Sequence, residues 1–277
     1  MNAKRPLAGR CALVTGGGGG LGRAFALGLA ADGAEVAVLG RTEQTLNETV
    51  SAIESVGGAA FAVCADVVDP SSMDAAAEAI HERLGALDVL LNNAAVMGYT
   101  GPDWEVSPER WWSALEVNLL GAYRCVHLFL PRMMKRGTGR IINVSSGAAS
   151  MRVEAYTSYS TSKAALTHWT DCLGTALRKH GIAVFALGPG FQRTPGTEAM
   201  LEDPAVHESV RTIFRDLFEQ RREVGEDRAV ELMCRLARGE ADELTGRYVS
   251  VHDDMAELTR DTAKILREDK LTLRIRT

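Results

Sequence analysis

Two phenols and a cation lie close together in AYTSYSTSK, Ala155 to Lys163. On a helix, residues four apart share a face one turn above each other, and Tyr159 has Lys163 at that spacing. Tyr156 has only Ser160 there. A tyrosine ionises near pKa ~10. A positive charge ~4 Å away at an effective dielectric of ~20 is worth ~4 kcal/mol, or roughly three pKa units. The spacing predicts that Tyr159 is brought towards neutrality, able to exchange a proton with a substrate oxygen. Tyr156 is expected to be a pocket wall beside the substrate.

A different chemistry is written in TGGGGGLG, Thr15 to Gly22, which follows the apolar run CALV and opens RAFALGLAA. Glycines let the backbone turn sharply and approach a pyrophosphate, whose charge sits at the helix N-terminus. Gly16, Gly19, Gly20, Leu21 and Gly22 are the candidate contacts. At the end of the next apolar run, VAVLGRT, Gly40 stands where an NAD-selective site places a carboxylate on the adenosine ribose, and Arg41 follows. A guanidinium binds a 2′-phosphate through paired, charge-assisted hydrogen bonds that a carboxylate would oppose. These residues favour NADP over NAD, with NAD as the alternative.

Elements that could position both ends alternate along the chain. Cys11–Val14, Val36–Leu39, Ala60–Cys64, Val89–Leu91, Ile141–Val144, Ala183–Leu187 and Tyr248–Val251 are near-continuous in apolar character, as strands covered on both faces are. Between them, helices are predicted over Arg23–Ala31, Thr45–Ser55, Ser72–Arg83, Pro108–Lys135, Ser160–His180 and Asp227–Ala237. Repeated strand–helix alternation predicts an α/β, Rossmann-type, doubly wound parallel sheet of about seven strands with helices on both faces, in a single domain. That domain is expected to span 1–254, followed by an extension over 255–277.

Composition narrows the function classes. The 277 residues are 46% hydrophobic and 24% charged, with a net charge of −5 and no basic block, which argues against nucleic acid or an anionic membrane as partner. No stretch approaches the roughly 18 apolar residues of a membrane span, nor the roughly 7–15 of a secretory signal. A cytoplasmic location is expected. Cys11, Cys64, Cys125, Cys172 and Cys234 are odd in number, widely spaced and set in apolar surroundings, so buried free thiols are predicted rather than disulfides or a metal site.

Taken together, these motifs resemble the short-chain dehydrogenase/reductase family from about residue 10 to 252. The family's Thr-Gly-x-x-x-Gly-x-Gly is matched by Thr15, Gly16, Gly20 and Gly22, and its Asn-Asn-Ala-Gly by Asn92 to Ala95. Its asparagine falls on Asn118, its serine on Ser146, its Tyr-x-x-x-Lys on Tyr159 and Lys163, and its Pro-Gly segment on Pro189 to Thr194. The resemblance implies that Tyr159 is the general acid/base and that Ser146 hydrogen-bonds the substrate oxygen. Lys163 would lower the phenol's pKa and hold the nicotinamide ribose, and Asn118 would hold a relay water. Asp66 and Val67 would meet the adenine, and Asn93 and Ala94 the ribose. Pro189, Gly190, Gln192 and Thr194 would meet the carboxamide. It also implies a small-molecule carbonyl or alcohol substrate and a homo-oligomer, dimer or tetramer.

Three departures stand out. Ala95 replaces a glycine, asking for room near the adenosine side, and Gln192 replaces an apolar residue. Beyond the last strand, Met255, Leu258, Ala263, Ile265 and Leu266 suggest one amphipathic helix before a Leu/Arg tail. Large apolar residues in Val96–Trp104, Met151–Tyr156 and the insert Phe191–Phe218 suggest a hydrophobic cyclic or aryl substrate, with Arg152 and Arg193 available to an anionic group. The alternative is a sensor or scaffold that binds the cofactor without turnover; the set Asn118, Ser146, Tyr159 and Lys163 argues against it.

Overall fold

The frame that carries these residues is a parallel sheet, seen in a computed structural model that describes residues 5–275. Its strands are β1 (Cys11–Thr15), β2 (Glu35–Gly40), β3 (Ala59–Cys64), β4 (Val89–Asn92), β5 (Gly139–Val144), β6 (Ile182–Gly188) and β7 (Tyr248–Ser250). They are ordered β3-β2-β1-β4-β5-β6-β7 and every pairing is parallel. The period of two along each strand sends alternate side chains to opposite faces. Ala12, Val14, Val36, Val38 and Leu91 enter one core, and Leu13, Ala37, Leu39 and Leu90 enter the other. Strand order reverses between β1 and β4, where an open α/β sheet leaves a crevice beyond the carboxyl ends of its strands.

Helices α1 (Gly20–Ala31), α2 (Glu43–Ser55) and α3 (Pro70–Leu84) follow the first three strands. The stretch expected as one helix over Pro108–Lys135 is broken. α4 (Pro108–Leu115) passes through a π-helical turn, Glu116–Gly121, into α5 (Ala122–Arg136). Such wide turns collect at functional sites, and this one carries Asn118. Gly121 closes it against the β3 end, where a Cβ would lie 2.8 Å from Val67 Cγ2. α6 (Thr157–Leu177) follows β5; α7 (Pro195–Glu202), α8 (Glu208–Glu219) and α9 (Glu226–Arg238) lie between β6 and β7.

The segment after β7 forms two short helices, α10 (Met255–Arg260) and α11 (Thr262–Arg267), rather than one. Asp254 caps α10 by accepting from the backbone N–H groups of Ala256 and Glu257. Met255 and Ile265 enter the same core as β1 and β2, whereas Ala263 faces solvent. The chain then returns along the free edge of β7. Tyr248 N–H donates to the Leu271 carbonyl (2.9 Å), Arg247 pairs with Asp269 (2.8 Å) and Arg274 with Asp171 (2.7 Å). The cysteines are all free, but only Cys125 and Cys234 are buried; Cys64 and Cys172 are exposed on the surfaces of β3 and α6.

Candidate active site

Tyr159 and Lys163 project from the first turns of α6 into the crevice beyond β5 and β6. The helix begins at Thr157, three residues before the predicted Ser160, just after Ala155, which takes a left-handed φ of 58°, a costly conformation for a residue with a side chain. That turn drives Tyr156 inward, where its ring stacks on Tyr159 at 4.8 Å with 14° between planes. Lys163 is 2% exposed; its Nζ donates to the Val144 carbonyl (2.8 Å) and lies 5.7 Å from the centre of the Tyr159 ring.

Burial lowers the Lys163 amine to about 8. It also raises the Tyr159 phenol above its ordinary 10, with a hydrogen bond from Ser146 opposing the rise. The phenol's direction is therefore opposite to the one the spacing predicts. Desolvation penalises phenolate and ammonium alike, and Lys163 directs one of its N–H groups to the Val144 carbonyl.

Ser146 follows β5, and its Oγ accepts from the Ala148 N–H (3.2 Å), leaving its own hydrogen to give. Asn118 does not line the cavity. Its Oδ1 accepts from Val96 N–H (2.8 Å), and its Nδ2 donates to the Val96 carbonyl (2.9 Å) and Ser162 Oγ (2.9 Å). Its side chain thus ties the loop after β4 to α6 and has little capacity left for a relay water. A buried polar chain runs alongside: Asn92 Nδ2 donates to Asn143 (2.8 Å), whose Nδ2 donates to Thr170 (2.9 Å).

A cavity of about 450 Å³ opens over Tyr159. Ser146, Lys163, Asn93, Leu21, Pro189, Gly190, Gln192 and Thr194 all reach it. Met97, Met151, Val153, Tyr156, Phe214 and Leu217 supply apolar walls, and no carboxylate or guanidinium among the described residues lines it. Sequence reasoning missed Tyr248 and His252, which close the far side. Their only signal was position, at and just beyond the last strand. Ala95 also lines this cavity. Arg193 is committed to Glu198 (2.9 Å) and lies over the Phe218 ring, and Arg152 is exposed outside the lining. Gln192 is buried and folds back to donate to the Pro189 carbonyl; Thr194 caps α7 with Thr197.

The other half of the crevice is built from the glycine run. Gly16 has φ 65°, and a Cβ there would meet Ala94 Cα at 2.9 Å. Thr15 Oγ1 accepts from the N–H groups of Asn93 and Ala94 (3.0 Å each), and Asn93 Nδ2 donates to the Thr15 carbonyl (3.0 Å). Gly22 packs so tightly on this turn that a Cβ would lie 2.1 Å from the Gly16 carbonyl oxygen. Gly19 and Gly20 have open space instead. The α1 N-terminus behind them has no side-chain cap and no acid in its first turn. Free N–H groups, open glycines and no negative charge fit a pyrophosphate. Arg41 lies exposed beyond β2, with no ion pair among the described residues, while Asp66 and Val67 follow β3. Asp66 Oδ1 accepts from Val68 N–H (3.1 Å), and Arg124 donates to the Val67 carbonyl.

Fold and site define a dinucleotide-dependent oxidoreductase. The sequence profile described as short chain dehydrogenase matches residues 10–205. The chain is 32% identical to the short chain dehydrogenase pigC of Monascus ruber, over 98% of this chain and 88% of that protein. It is 40% identical to the short-chain reductase protein NovJ of Streptomyces niveus, over 69% of this chain and 72% of that one. The structure of a single-site variant of actinorhodin polyketide ketoreductase with NADPH superposes with a TM-score of 0.79 at 30% identity, covering 87% of this chain and 95% of that one. The chain belongs to the short-chain dehydrogenase/reductase family, and it is an NAD(P)-dependent enzyme acting on CH–OH or C=O groups.

Proposed function

We propose that the chain interconverts a neutral, apolar cyclic or aryl ketone and its secondary alcohol, with NADP preferred to NAD. The observation that carries this reading is the cavity over Tyr159, whose walls include thioethers, phenyl rings and phenols, with no carboxylate or guanidinium among its described lining residues. An anionic substrate would find Lys163 as the one ammonium, and no guanidinium, among the described lining residues.

The glycine turn, the α1 N-terminus, Asn93, Ala94, Asp66, Val67 and Pro189 to Thr194 would hold the dinucleotide, with Arg41 on its 2′-phosphate. When bound, its nicotinamide supplies or takes up the hydride. Tyr159 gives its proton to the carbonyl oxygen in reduction and receives it in oxidation. Ser146 hydrogen-bonds the same oxygen as charge develops on it. Lys163 holds the ribose hydroxyls and supplies positive charge near the phenolate left behind. Asn118 is a positioning residue that fixes the loop after β4 against α6. Exposed Trp112, Leu120 and Tyr123 on α4, the π-turn and α5 support an interface in a homo-oligomer.

NADPH consumption with 1-tetralone, 2-tetralone and cyclohexanone, set against pyruvate and 2-oxoglutarate, tests the reading. Turnover of the neutral ketones alone is expected. Activity only on the anions would overturn it.

A further inference from the structure

We propose that Tyr248 is a second hydrogen-bond donor of this site, giving its phenol to a carbonyl or hydroxyl oxygen other than the one that meets Tyr159. The inference rests on the reading of the cavity as the carbonyl-binding site. Tyr248 opens β7 and pairs with Ala186 of β6, and its side chain crosses to the end of that neighbouring strand. There a Cβ on Gly188 would lie 2.2 Å from Tyr248 Oη and 2.5 Å from its Cζ. Gly188 does not have a positive φ, so its backbone makes no demand for glycine. The missing side chain serves the phenol, because any larger residue at 188 would evict it.

The phenol occupies a shared wall. Tyr248 and Ser146 line both the main cavity and a smaller one of about 140 Å³ behind it. Leu271, Thr272 and Leu273 close the smaller cavity, and the Leu271 carbonyl holds the Tyr248 N–H at 2.9 Å. Ring and backbone are thus both fixed, as a hydrogen-bonding group must be to act without an entropic penalty. Burial, with smaller contributions from Asp253 and Tyr159 and opposed by a hydrogen bond from Ser250, pushes this phenol up to about 12, so it remains an O–H at working pH. It can give a hydrogen bond but does not exchange its proton. That separates its role from that of Tyr159, and the cavity gains an oriented donor beside Ser146.

Two oxygens could accept it: the nicotinamide carboxamide, or a second oxygen of the substrate. Tyr248→Phe keeps the ring and removes only the donor. Two equilibrium measurements on wild type and variant distinguish the acceptors. NADPH affinity is read by fluorescence titration without substrate. Affinities of 1-tetralone and 4-hydroxy-1-tetralone are read by calorimetry on protein saturated with NADP. Loss of one hydrogen bond should weaken the affected ligand about three- to tenfold. A loss confined to NADPH assigns the carboxamide. A loss confined to 4-hydroxy-1-tetralone, with 1-tetralone within twofold, assigns the substrate oxygen. Either supports the proposal, and all three ligands staying within twofold overturns it. A wild type that reduces no ketone would overturn the proposed function instead, and the binding measurements would still report on Tyr248.

Discussion

Lys163 Nζ sits 5.7 Å from the centre of the Tyr159 ring while its hydrogen bond goes to the Val144 carbonyl. A buried ammonium held this way weakens the fold that contains it. Its pKa falls from 10.5 to about 8, which at ~1.36 kcal/mol per unit corresponds to ~3 kcal/mol. The unfolded chain binds the proton more tightly, so wild-type stability should rise as pH climbs from about 8 towards 10.5. Lys163→Met should lose turnover yet gain ~1–2 kcal/mol near pH 7, after allowing for the lost bond to Val144. Urea unfolding at pH 7 and pH 10 checks this: the advantage should shrink at the higher pH, and an advantage that grows would contradict it.

Tyr159→Phe keeps the stack on Tyr156 and removes the proton donor. Turnover should fall at least 100-fold, in line with the usual worth of a positioned acid or base, while NADPH affinity stays within about threefold. Stopped-flow reduction together with cofactor titration reads both. Retained turnover would displace Tyr159 from its role.

Arg41→Ala should lower kcat/KM with NADPH by about 10-fold or more and leave NADH nearly unchanged, the signature of a charge-assisted bond to phosphate. A wild type that already prefers NADH would remove the basis for this expectation.

Gly19→Ala and Gly22→Ala test the cradle separately. A methyl at Gly22 collides with the Gly16 carbonyl oxygen at 2.1 Å and Asn93 Nδ2 at 2.6 Å, so thermal stability should drop along with cofactor binding. A methyl at Gly19 meets nothing within 4 Å. Its melting temperature should hold, and NADPH affinity should fall about 10-fold if pyrophosphate approaches that backbone. Unchanged affinity in Gly19→Ala would move the phosphate elsewhere.

Much of this was legible in sequence because the signals are local. Apolar runs marked strands buried on both faces, and the four-residue spacing placed Tyr159 and Lys163 on one helical face. Other features depend on distant chain. Whether Lys163 lowers the phenol depends on the Val144 carbonyl and on shared burial, neither visible in the spacing. Asn118 was legible as a site residue, but not its bonds to Val96 and Ser162, since a widened helical turn has no periodic signature. Tyr248 read as a strand residue because its meaning lies in Gly188, sixty positions earlier.

The returning segment near Leu271 raises one more expectation. Deleting 271–277 removes its bond to Tyr248 and the Arg274–Asp171 pair, and should cost ~1–3 kcal/mol in unfolding free energy while weakening ligand binding. Unaltered melting and binding in the truncated chain would show that the segment is passive.

A rear wall borrowed from a neighbouring molecule would come away whenever protein is scarce. Here the edge of β7 is met by Leu271 of the same polypeptide, present at one copy per site at any dilution. Ligand binding at this wall is therefore expected to be insensitive to protein concentration, even if subunits do associate through another face.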